Sequence, residues 1–111
     1  MFFKKFRERR KVTRHVREIL EERLPDYIDD FAGNPYEAAA IPGVIAVFSE
    51  TMGIWYSSSE KEKKEELDVV LNDPEKLHDI FYGFLGTVYR NKTGYVEEEL
   101  TYRQAGGSSG A

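Results

Sequence analysis

The side chains best suited to metal or acid–base chemistry are two histidines and a surplus of carboxylates. Glu75 and His78 form a Glu-x-x-His unit on a predicted helix. Di-iron carboxylate bundles use two such units together with further carboxylates. The other histidine, His15, has Val12 where the glutamate of a second unit would stand. The pattern therefore predicts no metal site, and we expect Glu75 and His78 to be a solvated pair in the first turn of a helix.

The sequence also lacks the other common catalytic patterns. The chain has no cysteine, no glycines in the order of a phosphate-binding loop, and no serine in a nucleophile-elbow context. Helix caps and solvated helical faces account for most carboxylates in so acidic a chain. The sequence thus predicts a non-enzymatic protein with no catalytic residues, no cofactor and no small-molecule substrate.

The strongest functional signal is the distribution of charge. The first 17 residues hold eight lysines and arginines against Glu8 alone, so they carry a charge of +7. The rest of the chain carries −11, which gives the net charge of −4. Cations near a helix N-terminus oppose the helix macrodipole, so helix stability alone does not explain them. We therefore predict a partner-binding surface on this segment, comprising Phe2, Phe3, Lys4, Lys5, Phe6, Arg7, Arg9, Arg10, Lys11 and Arg14.

Three kinds of partner suit a basic, phenylalanine-rich helix. The preferred one is an acidic surface on another protein, or on a second copy of this chain, which would make the protein an adaptor or an assembly or regulatory module. The first alternative is an anionic membrane surface, with the phenylalanines in the headgroup boundary and the cations on lipid phosphates. The second is nucleic acid, although dedicated nucleic-acid domains are usually basic overall.

These cations need a helix to align them. Apolar residues recur near one face at about 100° per residue from Phe2 to Leu24, which predicts a long amphipathic helix that Pro25 ends or kinks. Asn34-Pro35 and Asp73-Pro74 each combine a capping residue with proline at the first helical position, so both predict helix starts.

Four further segments carry expectations. Pro42-Gly43 predicts a break between a short helix and a second helix over residues 44–56. Ser59 and Glu62 have the spacing of a capping box. Gly83 and Gly86 lie inside a predicted helix, where we expect another element to approach closely and compensate for their cost. Residues 95–104 fit either a helix or a strand, and the run Glu97–Glu99 near the start of this segment favours a helix.

Together these elements predict a soluble all-α protein, a small bundle of about four to six helices with a long amphipathic N-terminal helix. Its predicted organisation is a basic helix over residues 1–24, an acidic helical body over 25–104 and a flexible tail over 105–111. The predicted core consists of Leu20, Leu24, Phe48, Met52, Trp55, Leu71, Leu77, Phe81, Phe84, Leu85 and Val88.

Composition also bears on location. Charged residues follow the basic N-terminus where a secretory signal would continue as an apolar stretch, and no cysteine is available for disulfides. The longest apolar stretches near residues 44–56 are interrupted and shorter than the roughly 20 residues of a spanning helix. The sequence therefore predicts a cytoplasmic protein without a transmembrane segment, with peripheral membrane attachment as the alternative.

Overall fold

The computed structural model describes residues 2–89, apart from the side chain of Phe2. These residues form five helices and no strand, which confirms the all-α bundle and its long N-terminal helix. Our expectations for residues 90–111, including the 95–104 segment and the flexible tail, lie outside the described residues. The helices are α1 (Phe2–Glu21), α2 (Leu24–Phe31), α3 (Pro35–Ser57), α4 (Lys61–Leu71) and α5 (Pro74–Val88).

Two helices begin where their capping residues predict. The Asn34 Oδ1 atom accepts a hydrogen bond from the Glu37 amide at 2.9 Å at the start of α3. At the start of α5, Asp73 Oδ1 accepts from the Lys76 amide at 3.3 Å. Each bond satisfies a backbone donor that the first helical turn leaves unpaired, and a proline without an amide hydrogen follows each cap.

The predicted break at Pro42-Gly43 is wrong, because α3 runs without interruption from Pro35 to Ser57. Pro42 is exposed, so its ring sits on the outside of the bundle. Its missing amide removes one helical hydrogen bond, and buried side chains on either side hold the helix in place. Ile41 and Ile45 are those residues, and both are fully buried.

The capping box predicted for Ser59 is also wrong. Glu60 is the N-cap of α4, and its side chain makes no capping bond. The Ser59 hydroxyl instead donates to the carbonyl oxygen of Trp55 at 2.6 Å. Ser59 therefore satisfies a backbone acceptor at the end of α3 rather than a donor at the start of α4.

The core forms between α1, α2, α3 and α5, with the end of α4 against it. Three predicted core residues are on the surface instead: Trp55, Phe84 and Val88 are 46%, 38% and 50% exposed. Two members of the core come from α2 and were absent from the predicted core. Tyr27 and Phe31 are each 2% exposed, and their rings contact Phe81 and Tyr82 edge to face.

The backbones of α1 and α3 come close together at Gly53. A Cβ atom added at Gly53 would lie 2.6 Å from the carbonyl oxygen of Arg9 and would also overlap the Thr13 hydroxyl. Glycine therefore permits this backbone contact. The expectation for Gly83 and Gly86 is wrong, because nothing lies within 4 Å of a Cβ atom at either position.

Because α3 is continuous, the argument from length against a membrane-spanning segment is also wrong. Among the described helices, α3 alone is long and apolar enough to cross a membrane. Core helices of soluble proteins meet the same test, so this is weak evidence of a span. In this bundle α3 supplies Ile41, Ile45 and Met52 to the core and packs against α1, α2 and α4.

Candidate functional site: a basic groove along α1

The two sides of α1 have different chemistry. Val12, Val16 and Leu20 recur every four residues and are buried against the rest of the bundle. The cations fall at the intervening positions, so the helical repeat of 3.6 residues carries them away from the core. Packing of the apolar side thus fixes the direction of the basic side.

The basic side of α1 forms one wall of an open groove with a volume of about 750 Å³. We call it the basic groove. The opposite wall comes from the last turn of α3 and from the C-terminal end of α4. That wall is formed by Tyr56, Asp68, Leu71 and Asn72, and the cations that line the groove are Lys4, Arg7, Arg10, Lys11 and Arg14.

The carboxylates in the groove already have partners elsewhere in the fold. Glu8 accepts a hydrogen bond from the Lys64 ammonium group at 2.8 Å, and this ion pair is about three-quarters buried. Asp68 accepts from the Tyr56 hydroxyl at 2.9 Å. Burial and then the bond to Asp68 raise the pKa of Tyr56 to about 12, so the phenol keeps its proton at neutral pH.

The five cations of the groove are not neutralised in this way. Within residues 2–89, none of them forms an ion pair with a carboxylate. Arg10 places its guanidinium 5.8 Å from the centre of the Phe6 ring, a cation–π distance that leaves the charge in place. The groove therefore presents unneutralised positive charge, while its two carboxylates are held by Lys64 and Tyr56.

The structure divides the predicted binding residues into two sets. Lys4, Arg7, Arg10, Lys11 and Arg14 line the basic groove. Lys5 is exposed but does not line it, and Arg9 contributes its backbone to the contact with Gly53. Phe3 and Phe6 are 72% and 47% exposed at the N-terminal tip, outside the groove lining. The side chain of Phe2 lies outside the described residues.

His15 anchors one end of the groove. Its Nε2 atom donates to the carbonyl oxygen of Leu71 at 2.6 Å, which joins α1 to the last turn of α4. Sequence reasoning missed His15, Tyr56 and Asp68 as parts of this site. His15 lies on α1, and Tyr56 and Asp68 on the opposite wall follow it by 41 or more residues. No spacing pattern in the sequence links them.

A second, acidic pocket of about 300 Å³ lies beyond the C-terminal end of α1. It is bordered by Asp26, Asp29 and Asp30 of α2 and by Asp79 of α5. Arg23 also borders it, but its guanidinium is hydrogen-bonded to the Glu75 carboxylate. Within the described residues, none of the four aspartates forms an ion pair.

His78 lines this pocket and is 4% exposed, so the expectation of a solvated Glu75–His78 pair is wrong for the histidine. The His78 Nδ1 atom and the Tyr27 hydroxyl are hydrogen-bonded at 2.5 Å. Burial, followed by the charge of Arg23, lowers the pKa of His78. Among the described residues, no three His, Asp or Glu side chains are arranged to hold a metal ion.

Comparison with known proteins leaves the site to be interpreted from its own geometry. No protein family, no curated protein and no solved structure matches this chain.

Proposed function

We propose that this protein is a non-enzymatic interaction module of the cytoplasm, an adaptor or assembly subunit whose basic groove binds an acidic helix or segment of a partner protein. The observation that carries the proposal is the set of five cations that line one groove without an ion pair among residues 2–89. The groove's own carboxylates are engaged by Lys64 and Tyr56, so they do not compensate these cations.

The arrangement of the cations suits an elongated partner. Lys4, Arg7, Lys11 and Arg14 follow each other at intervals of three and four residues, and so form a row about 15 Å long on α1. Carboxylates that repeat at helical spacing on a partner helix would match this row. The wall formed by Tyr56 and Leu71 adds apolar surface beside the charges.

The concave shape of the site favours a protein partner over the two alternatives. A convex segment fits into a groove, whereas a bilayer presents a nearly flat surface to the cations. Dedicated nucleic-acid domains are usually basic overall, whereas this chain has a net charge of −4. Each exposed ion pair contributes only about 0.2–1 kcal/mol, so binding must use several of the five cations together.

The test measures binding of a labelled helical peptide with glutamates at intervals of three and four residues. The triple variant Lys4→Glu/Arg7→Glu/Lys11→Glu is expected to weaken binding at least tenfold, since it replaces attraction by repulsion along the row. Fluorescence anisotropy would report the affinity, and binding by the unmodified protein should weaken as salt is raised.

Lys5→Glu is the matched control, because Lys5 lies on the same turn of α1 as Lys4 and Arg7 but does not line the groove. This single variant should bind the peptide like the unmodified protein, while Lys11→Glu alone weakens binding. Anionic phospholipid vesicles and single-stranded oligonucleotides serve as comparison ligands. Stronger binding to either one, or equal effects of Lys5→Glu and Lys11→Glu, would contradict the proposal.

A further inference from the structure

Two surfaces of opposite charge lie at different places along the same molecule. The basic groove follows residues 4–15 of α1, and the acidic pocket lies beyond the C-terminal end of that helix. Each surface keeps its charge, because neither the groove cations nor the pocket aspartates form ion pairs among residues 2–89. The chain thus carries both a site for an acidic helix and a helix of that kind.

The acidic helix is α2. Asp26, Asp29 and Asp30 occupy positions i, i+3 and i+4 of this helix, so their carboxylates lie on neighbouring turns. Asp26 and Asp29 are exposed, and Asp30 is partly exposed. On the other side of the helix, Tyr27 and Phe31 are buried, which fixes the direction in which the aspartates project.

We propose that the occupant of the basic groove is α2 of a second copy of this chain. This inference rests on the proposed function, since it uses the same groove, and it adds the identity of the partner. Asp26 and Asp30 are four residues apart on α2, so the three carboxylates span about 6 Å of helix axis, within the roughly 15 Å row of cations on α1. The three aspartates can therefore face part of this row.

The mode of contact determines the form of the assembly. A groove on one copy receives α2 of another copy. If the second copy returns the contact about a two-fold axis, the assembly closes as a dimer with two groove–α2 contacts; if the contact is not returned, the interface is heterologous and extends into a chain or a ring. In both arrangements the average mass exceeds that of the single chain and rises with concentration.

The first experiment is sedimentation velocity of the full chain over a range of concentrations in low and high salt. In about 0.05 M NaCl the weight-average mass should rise with concentration above the 12.8 kDa of the single chain. In about 0.5 M NaCl it should return to that mass, because screening removes the attraction between the surfaces. A single chain at every concentration in low salt overturns the inference.

Substitution of the acidic helix separates this contact from a general effect of net charge. Asp26→Asn/Asp29→Asn/Asp30→Asn should remain a single chain in low salt. The matched control removes three exposed carboxylates from α4 and its N-cap, as Glu60→Gln/Glu62→Gln/Glu65→Gln, and should associate like the unmodified protein. Equal loss of association in both variants overturns the inference. Circular dichroism verifies that both variants stay helical.

A mixing experiment tests the two-sided geometry. The groove variant Arg7→Glu/Lys11→Glu keeps its acidic helix, and the α2 triple variant keeps its groove. Neither should associate alone, whereas their mixture should form a 1:1 dimer and nothing larger, since each lacks one of the two surfaces. Absence of a dimer in the mixture overturns the inference.

The two proposals fail differently. If the α2 triple variant still binds the glutamate-rich peptide with unchanged affinity while the unmodified chain never self-associates, the groove function stands and the second copy is excluded as its partner. If the unmodified chain binds no acidic peptide in low salt, the proposed function itself fails.

Discussion

His78, a buried imidazole between α2 and α5, is expected to make the stability of this protein sensitive to mild acid. Burial is the main cause of the lowered pKa of His78, and the charge of Arg23 lowers it further; Glu75, Glu22 and Asp79 act in the opposite direction. The unfolded histidine titrates near about 6.5, so the unfolded chain takes up the proton first. Stability is therefore complete above this pH and is lost as the pH falls toward the folded-state pKa.

We expect the urea midpoint to fall between about pH 7.5 and about pH 5.5, a window in which most carboxylates stay ionised. In His78→Gln the same change of pH should have a smaller effect, because the titrating group is gone. Identical pH dependence in the two proteins would show that His78 is not responsible.

Single residues also show why part of the core could not be predicted. Tyr27 and Phe31 stand in a short stretch with Asp26, Asp29 and Asp30, and their burial depends on Phe81 and Tyr82, about 50 residues later. Trp55 has the helical spacing of a core residue, yet it lies on the side of α3 where Lys63 covers its ring at 5.2 Å. Spacing identifies an apolar face but not which neighbour covers it.

Among the elements, the contact of α1 with α3 depends most on one position. Gly53→Ala is expected to lower the free energy of unfolding by about 3 kcal/mol, at the upper end for overpacking, because the new methyl group meets the backbone of Arg9. Urea unfolding followed by circular dichroism measures the change.

Gly83→Ala and Gly86→Ala provide controls on α5. An added methyl group meets nothing within 4 Å at either position. Both variants should therefore gain about 0.5–1 kcal/mol, since alanine loses less conformational entropy in a helix than glycine. A Gly53→Ala protein as stable as these two would contradict the close contact between α1 and α3.

Helix starts could be predicted from the sequence where the capping side chain acts on neighbouring residues. Asn34 and Asp73 cap α3 and α5 as their sequences predict, because a cap needs only the next three residues. Pro42 misled the prediction because its local cost is outweighed by tertiary packing. The fully buried Ile41 and Ile45 belong to a core that includes residues from α1, α2 and α5, and this packing is not visible in the sequence around the proline.

At the scale of the whole molecule, the first two turns of α1 are separable from the fold. Every described side chain from Phe3 to Arg7 is exposed, and the buried residues of α1 begin at Val12. Deletion of residues 1–7 should therefore lower the free energy of unfolding by less than about 1 kcal/mol, whereas Leu20→Ala should cost about 2–5 kcal/mol.

The same deletion removes Lys4 and Arg7, so we expect it to weaken binding of the acidic peptide while the helical signal of the remaining chain persists. Calorimetry and anisotropy on one preparation measure both properties. A truncated protein that unfolds as easily as Leu20→Ala would show that the tip has a structural role instead.

One wall of the candidate site could be predicted from the sequence, and the other could not. The cations of α1 are adjacent in the chain, so their clustering could be predicted from residues 4–14 alone. The opposite wall comes from Tyr56 and from residues 68–72, which only the folded bundle brings beside α1. Composition therefore predicted the charge of the surface, and tertiary structure was needed for its concave shape.

The backbone contact at Gly53 also constrains how this protein can evolve. A lineage that replaces Gly53 must either separate α1 from α3 or lose stability, since the space for a side chain is taken by Arg9 and Thr13. Gly83 and Gly86 carry no such constraint. Distant relatives are therefore best recognised by a glycine 33 residues after the last member of an apolar four-residue repeat like that of Val12, Val16 and Leu20.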